Sequence, residues 1–509
     1  MRRDQWITVI ILIFFLSVQI GCTNKEQKPN ILFFFVDDMG WQDTSVPFYE
    51  DTTELNRRYH TPNMETLAEQ GVKFTQAYAA AVCSPSRISL MTGMNMARHG
   101  VTNWTLYKGQ SPDDLYGPED SAIEPPEWNV NGLAPEEGVP HTVVAETLPM
   151  LLKEAGYTTI HIGKGHFGAI DTPGADPLNL GFDINIAGRA SGAPGSYHGE
   201  NNFSAESRGG SSVWDVPDLE KYHGQKINLT EALTREANAV LDSIVATGAP
   251  FYLYMSNYAI HSPFEKDRRF YQKYKDRGLS EFEATYASMI EGMDKSLGDL
   301  MNKLEELGVE DNTVVVFMSD NGAPKQAPLN KPLRGHKLMA YEGGVRVPMI
   351  AKWPGVTEPG MEKSQYVMIE DILPTFIEIA GVTNWESADQ SVDGKSFVPL
   401  LTSDTADDWQ ERPIFWHYPH TYDQPPYSSV RKGPWKLIYF HTDESFELYN
   451  LEEDISESTD LSSQKPRKVE ELADILTGHL EETDADMPIH KASGQKVGYP
   501  SEAIESQEE

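Results

Sequence analysis

Cysteine is nearly missing. Two residues in 509, Cys22 and Cys83, cannot staple a disulfide-built fold. Positive charge is also scarce. Lys+Arg number 42 against 77 Asp+Glu, a formal net charge of −35. Such a chain repels nucleic acid and anionic membrane, so neither is expected as a partner. An anionic substrate is repelled at long range too, so a site for one must gather its few cations locally. No internal repeat is found. What remains is ample for a globular interior, with 39% hydrophobic residues. The length suggests one large domain with an appendage, or two to three domains.

The N-terminus has the form of an export signal. Arg2 and Arg3 precede the apolar run "WITVIILIFFLSV", which is too short to span a membrane comfortably. "SVQIGC" then resembles a bacterial lipoprotein signal, whose cysteine is acylated after cleavage. Gln19 stands where that signal usually has Leu, and an ordinary signal peptide cleaved nearby is the alternative. Residues 1–21 are thus expected to be a signal peptide and 22–29 a linker after a lipidated Cys22. The protein would be an exported cell-envelope lipoprotein, in outer membrane or periplasm, and otherwise secreted. Its only membrane contact would be the lipid anchor. Cys83 then has no disulfide partner in its own chain.

From Asn30 the pattern is α/β. "ILFFFV" (31–36), "YTTIHI" (157–162), "PFYLYMS" (250–256), "TVVVFMS" (313–319) and "VPMIAKW" (347–353) read as strands. Stretches 61–71, 142–156 and 281–308 read as helices between them. Residues 102–140 and 185–228, rich in Pro, Gly, Ser and acids, are expected to be functional loops over a site. The predicted divisions are an α/β domain over 30–402, a small sheet plus helix over 413–490, and a disordered acidic tail over 491–509.

Polar groups follow the buried strands: Asp37 and Asp38, Lys164 and His166, His261, and Asp320 and Asn321. Lys337 lies ahead of the strand at 347. In open α/β sheets the crevice at the carboxyl ends of the strands is the usual ligand site. Taken singly, such residues are commonly turns or caps; together they form a constellation. Asp37, Asp38, Asp320 and Asn321 are hard oxygen ligands suited to Ca²⁺ or Mg²⁺. Adjacent Asp37 and Asp38 can reach one ion only if the backbone leaves strand geometry there. Arg87, Lys164, Lys337, His166 and His261 imply an anionic substrate group beside the metal.

"CSPSRISLMTG", residues 83–93, resembles the signature of the type I, formylglycine-dependent sulfatases, of the alkaline-phosphatase-like superfamily. "VDDMG", "GKGHFG", "IHSPF", "SDNG" and "LRGHKLMAYEGGVRVPMIAKWPG" resemble further family segments in the same order, over about residues 29–460. Gly165 replaces the family's usual Trp. The resemblance implies a mostly parallel central sheet flanked by helices, with a small C-terminal antiparallel sheet. It implies that a formylglycine-generating or anaerobic sulfatase-maturating enzyme oxidises Cys83 to formylglycine (3-oxoalanine). One hydroxyl of its hydrate would attack sulfur, and the second would collapse to expel sulfate. Ca²⁺, with Mg²⁺ less favoured, would be held by Asp37, Asp38, residue 83, Asp320 and Asn321. Lys164 and Lys337 would neutralise sulfate oxygens, His261 would protonate the leaving alcohol, His166 would assist collapse, and Arg87 would hold the diol.

A sulfuric ester hydrolase acting on a sulfated carbohydrate is therefore expected, with algal glycans of ulvan, carrageenan or fucan type in view. A phosphodiesterase or phosphonate hydrolase of the same superfamily, and a non-catalytic glycan-binding lipoprotein with unmodified Cys83, are the alternatives. Trp104, Tyr107, Trp128 and Trp214 are candidates for sugar stacking. His417 and His420 are candidates for hydroxyl or carboxylate contacts.

Overall fold

The computed structural model describes residues 28–508, except 329, 384, 386–389 and 403–408. The expected export signal, Cys22 and residues 403–408, between the two predicted divisions, lie outside the described residues.

Eight strands build the main sheet: β1 (Asn30–Val36), β2 (Val72–Tyr78), β3 (Thr158–Gly163), β4 (Ile184–Ile186), β5 (Phe251–Ser256), β6 (Thr313–Ser319), β7 (Arg346–Lys352) and β8 (Met361–Lys363). Their order is β8-β2-β7-β6-β1-β5-β3-β4, with Val367–Met368 pairing on β2 as a ninth. Only β7 runs antiparallel to its neighbours; the other pairs are parallel. Ile31, Phe33 and Phe35 enter one hydrophobic core, and Leu32, Phe34 and Val36 enter another. A strand covered on both faces needs no polar alternation, which is why "ILFFFV" is continuously apolar.

The flanking helices include α1 (Pro62–Gln70), α2 (Cys83–Thr92), α3 (Pro112–Tyr116), α4 (Leu148–Glu154), α5 (Leu229–Val245) and α6 (Glu281–Glu306). The helix expected from 142 is shorter than its apolar spacing suggests. Pro149 sits in its first turn, and Val143–Val144 pair instead with Leu133–Ala134 as a two-residue strand. Strand β2 and helix α5 were not expected from the sequence. Between β4 and α5 the chain makes 3-10 turns.

A four-stranded antiparallel sheet follows, β9 (Ile414–Tyr418), β10 (Tyr427–Lys432), β11 (Trp435–Phe440) and β12 (Ser445–Asn450). Helix α7 (Pro466–Glu482) buries Leu472, Leu476 and Leu480 against Leu437 and Leu448 of that sheet. The tail corrects an expectation. Residues Pro500–Glu508 form a helix, α8, rather than a disordered end. Ala503 is buried against the same core, with Tyr499 and Ile504 packed beside it, and Ser501 Oγ donates to Asp474 (2.7 Å). Three apolar side chains suffice to dock an otherwise acidic segment.

The sheet fixes where polar ends meet. β1, β3, β5 and β6 are parallel, so their carboxyl ends share one rim. β2 also ends there and delivers Cys83. Because β7 is reversed, the segment before it, which carries Lys337, reaches that same rim. The small sheet props this region: Trp416 donates its indole N–H to Ala79 O (2.9 Å), four residues ahead of Cys83.

Candidate active site

Three segments are laced together at the rim. Leu338 N–H donates to Ala81 O (2.7 Å), Ala79 N–H to Val345 O (2.9 Å) and Lys337 N–H to Ala323 O (2.8 Å). These bonds set Lys337 between Cys83 and the Asp320-Asn321 turn. Cys83 is the first residue of α2, with Pro85 inside the first turn.

Asp38 has a φ of 61°. This left-handed residue, strained for any side chain but glycine, breaks the strand alternation and brings Asp37 and Asp38 to one cluster. Its amide donates to Asp320 Oδ1 (3.1 Å). Lys164 Nζ donates to Asp37 Oδ2 (2.6 Å) and Lys337 Nζ to Asp38 Oδ1 (2.6 Å). Lys337 Nζ also lies 3.1 Å from Cys83 Sγ, which lies 3.7 Å from Asp37 Oδ1. Arg87 is fully buried. It donates to Asp320 Oδ2 through Nε (3.2 Å) and Nη2 (2.8 Å), and through Nη1 to Ser256 Oγ (2.7 Å) and Lys164 O (3.3 Å). Its hydrogen bonds thus brace Asp320 and the Lys164 backbone, whereas the sequence had assigned it to residue 83.

The two imidazoles are set differently. His166 donates Nε2–H to Thr105 O (2.9 Å), which leaves Nδ1 buried without a partner. Burial, then Lys164 and Arg87, hold it well below the ordinary histidine range, so it is neutral. His261 donates Nδ1–H to Ser262 O (2.8 Å) and turns Nε2 toward Asp38 Oδ2 at 3.7 Å. Burial lowers His261 to about 4; Asp38 opposes this, and Lys337 and Lys164 add to it. Burial also pushes the Cys83 thiol up to about 12 despite the two lysines, so it stays a thiol at neutral pH. Burial and Asp320 hold the Asp37 carboxyl well above its usual range, against the pull of Lys164. Burial also opposes the charge on Asp38, but Lys337, His261 and Lys164 outweigh it and keep that carboxylate ionised.

The cluster fits a hard cation. Asp37, Asp38, Cys83 and His261 offer ligand atoms within 4.8 Å of one another. Asn321 donates Nδ2 to Asp38 Oδ1 (2.7 Å) and Gly322 O (3.0 Å), leaving its Oδ1 buried and unpartnered. An orphaned oxygen among carboxylates is satisfied by an oxygen-loving ion. His261 joins a group in which the sequence had not placed it.

Above this floor opens a cavity of about 930 Å³, lined by Trp104, Tyr116, Trp214 and Tyr422, with Arg208, Lys325 and His336 among its polar groups. Of the expected stacking residues, Trp104 and Trp214 line it. Trp128 is buried and stands edge-on to His420 at 5.2 Å. Tyr107 is half-buried and not among the lining residues. His417 and His420 are corrected: both are buried. His417 bonds Ser428 Oγ (2.8 Å) and Asp486 O (3.2 Å), and His420 bonds Asp113 (2.7 Å) and Thr102 (2.7 Å). Their hydrogen-bonding capacity is used inside the fold, so neither reaches substrate. Tyr116 and Tyr422 were missed. Tyr422 follows His420 in "WHYPHTY" (416–422), where nothing in the spacing separates a wall residue from its buried neighbours.

The family model described as Sulfatase matches residues 29–382, and that described as N-sulphoglucosamine sulphohydrolase, C-terminal, matches residues 335–486. The chain belongs to the sulfatase family. It is a sulfuric ester hydrolase. A "Sulfatase" of Formosa agariphila is 30% identical, covering 94% of this chain and 93% of that one. The N-acetylgalactosamine-6-sulfatase of Canis lupus familiaris is 29% identical over 96% of this chain and 84% of its own. The crystal structure of Ps i-CgsB in complex with k-i-k-neocarrahexaose superposes with a TM-score of 0.71 at 26% identity, covering 94% of this chain and 96% of that one.

In this sulfatase the absence of Trp at 165 has a local cause. A Cβ at Gly165 would stand 2.7 Å from Arg189 O and 3.0 Å from Arg189 N. The backbone of the 185–195 loop occupies the place of a side chain, and His166 N–H bonds the same carbonyl (2.9 Å).

Proposed function

We propose that the sulfatase removes sulfate from a sulfated carbohydrate, an oligosaccharide of an algal or other polysaccharide of ulvan, carrageenan or fucan type, and that Cys83 is its maturation site. The observation that carries this reading is the pairing of Lys337 Nζ with Cys83 Sγ at 3.1 Å on the floor of an aromatic-walled cavity. Cations on a floor suit a sulfate, and aromatic faces on a wall suit a sugar ring. Relatives named for N-acetylgalactosamine-6-sulfate hydrolysis and for a neocarrahexaose complex support the carbohydrate class.

Oxidation of Cys83 by a formylglycine-generating or anaerobic maturase supplies, as the aldehyde hydrate, one hydroxyl to attack sulfur and a second to expel sulfate. A divalent ion, Ca²⁺ in preference to Mg²⁺, held by Asp37, Asp38, residue 83 and Asn321 with Asp320 behind them, supplies charge stabilisation. Charge counting permits it. Asp37, Asp38 and Asp320 are matched by Lys164, Lys337 and Arg87. Two further positive charges are balanced by the sulfate monoester and a deprotonated attacking hydroxyl. Lys164 and Lys337 steady the sulfate charge. An anionic sulfate ester bound beside His261 favours its imidazolium, which would then give the leaving alcohol a proton from Nε2, and the bare Nδ1 of His166 would accept one when sulfate departs.

The test is a matured protein, a peptide mass across residues 81–93, and sulfate release from a panel of defined sulfated oligosaccharides beside matched phosphate esters. Aldehyde mass with sulfate release is expected. An active protein with an unmodified thiol, or faster turnover of phosphate esters, would overturn the reading.

The same proposal places the protein in the cell envelope through a lipidated Cys22. Among the described residues no helix is long and apolar enough to cross a membrane. Fatty-acid labelling should mark the wild type and not Cys22→Ala; equal labelling sinks the anchor.

A further inference from the structure

Three aromatic rings from separate parts of the chain meet on one wall of the cavity. Trp104 lies 6.1 Å from Tyr116 and 5.8 Å from Tyr422, and the two tyrosines are 6.2 Å apart. Tyr116 is 62% exposed. A tyrosine held so open beside a catalytic floor is poorly explained as packing. We propose that these rings form a stacking subsite for the sugar ring adjoining the sulfated one, assembled by Asp113 as a positioning residue. This rests on the sulfatase acting on carbohydrate, as proposed above, and names the part of the substrate that selects it.

The wall is fixed to the floor. Thr105, next to Trp104, accepts His166 Nε2–H at its carbonyl (2.9 Å), and its amide donates to Ser84 Oγ (3.2 Å), beside Cys83. The cavity that holds Cys83 and Lys337 is therefore continuous with the aromatic wall. Wall and floor line one cavity, so one oligosaccharide can touch both.

Asp113 makes the wall possible. Its Oδ1 accepts from Thr421 N (2.8 Å), Thr421 Oγ1 (3.3 Å) and Tyr422 N (2.9 Å); its Oδ2 accepts from His420 Nδ1 (2.7 Å) and Ser111 Oγ (3.0 Å). One carboxylate thus ties the loop after β9, which bears Tyr422, to helix α3, which bears Tyr116. The Asp113 side chain is 6% exposed and its partner His420 is fully buried. A buried carboxylate with five donors is well satisfied and holds its partners in one geometry.

The occupant follows from the chemistry of the surface. Three ring faces and edges offer apolar and C–H contacts, which suit the apolar face of a pyranose. The three rings themselves supply no cation, so the face presented to them need carry no sulfate. The subsite therefore favours an oligosaccharide over a sulfated monosaccharide.

The full-length Cys83→Ala protein cannot be matured, so binding can be read without turnover. It is titrated with carrageenan, ulvan and fucan hexasaccharides and with the corresponding monosaccharide sulfates. At least one hexasaccharide should bind at least 10-fold tighter than its monosaccharide. Adding Tyr422→Ala or Tyr116→Ala should each remove about threefold to tenfold of that gain and leave monosaccharide binding unchanged. Adding Asp113→Ala should remove most of it, and Asp113→Asn, which keeps an oxygen for the Thr421 and Tyr422 amides, should restore part. Equal binding of hexasaccharide and monosaccharide, no binding of any hexasaccharide, or equal losses on both ligands would overturn the subsite. The function reading fails separately, if the matured wild type releases sulfate from no carbohydrate at all.

Discussion

Lys337 Nζ lies 3.1 Å from Cys83 Sγ, although the two residues are 254 apart in sequence. The reversed β7 brings them together. On the proposed mechanism this places a cation against the attacking atom and the sulfate it meets, whatever alcohol the sulfate is attached to. Lys337→Ala should slow aryl sulfates and sugar sulfates alike, by about two to three orders of magnitude in kcat/KM.

His261→Ala should separate those substrates. A sugar hydroxyl is a poor leaving group and needs a proton, whereas a nitrophenolate leaves without one. Sugar-sulfate hydrolysis should fall by about two to four orders of magnitude, with nitrophenyl sulfate much less affected. If both slow equally while folding and metal content are intact, the leaving-group role belongs elsewhere, with Lys337 the first candidate.

One divalent ion per chain is expected, calcium before magnesium. Adding it to stripped protein at about 100 times its Kd should stabilise the fold by about 2.7 kcal/mol, visible as a rise in Tm. Asn321→Ala should weaken that rise, because the orphaned oxygen is gone. Stoichiometric zinc by elemental analysis would refute the assignment.

Much of this site was legible because its residues follow buried strands. "ILFFFV" and "TVVVFMS" announce themselves by lacking charged residues, so Asp37, Asp38, Asp320 and Asn321 stand out at their ends. A break in strand geometry at Asp37-Asp38 was also anticipated, since two adjacent carboxylates otherwise diverge; that Asp38 itself turns left-handed was not. What the sequence hid depends on distant partners. The resemblance gave Arg87 a place beside residue 83 but no hint of Asp320, 233 residues away, to which it is tied. His420 looked like a substrate contact until Asp113, 307 residues away, proved to hold it. The half-polar strand β2 carried no apolar run to betray it. The acidic tail hid α8, because composition outweighs three apolar side chains that only a tertiary surface can reward.

Gly165→Ala should destabilise the protein and impair catalysis together. The new Cβ meets backbone atoms of Arg189, which cannot swing aside, so a cost of about 1–3 kcal/mol is expected. His166 is the next residue and hangs from the same carbonyl, so kcat/KM should fall with Tm. An unchanged Tm would mean that the 185–195 loop yields freely.

Lys436 is buried between Glu342 (2.9 Å) and Glu457 (3.0 Å), all three side chains fully enclosed where the small sheet meets the segment leading into β7. Tyr78 and Arg346 also bond Glu342. Lys436→Met leaves two buried carboxylates facing each other, and burial already pushes Glu457 up to about 7. A loss of about 3–5 kcal/mol is expected in urea unfolding. The double substitution Lys436→Met, Glu457→Gln should recover part of it. No recovery would mean that the loss comes from packing against Trp416 rather than from charge.

Glu370 gives a pH signature away from the active site. Its Oε1 accepts from Asn95 Nδ2 (3.1 Å), and its Oε2 is buried without a partner. Burial, with Asp371 adding to it, pushes this carboxyl from its ordinary 4.5 up to about 8. The native state therefore holds a proton that the unfolded chain releases above about pH 4.5. The contribution to stability is fully present below that value, declines as pH rises, and levels off above about pH 8. Glu370→Gln keeps the shape and the amide acceptor without the titration. The variant should thus lose less stability than the wild type between pH 5 and pH 8 in parallel urea titrations. Identical slopes for the two proteins would show that Glu370 is not the group that titrates.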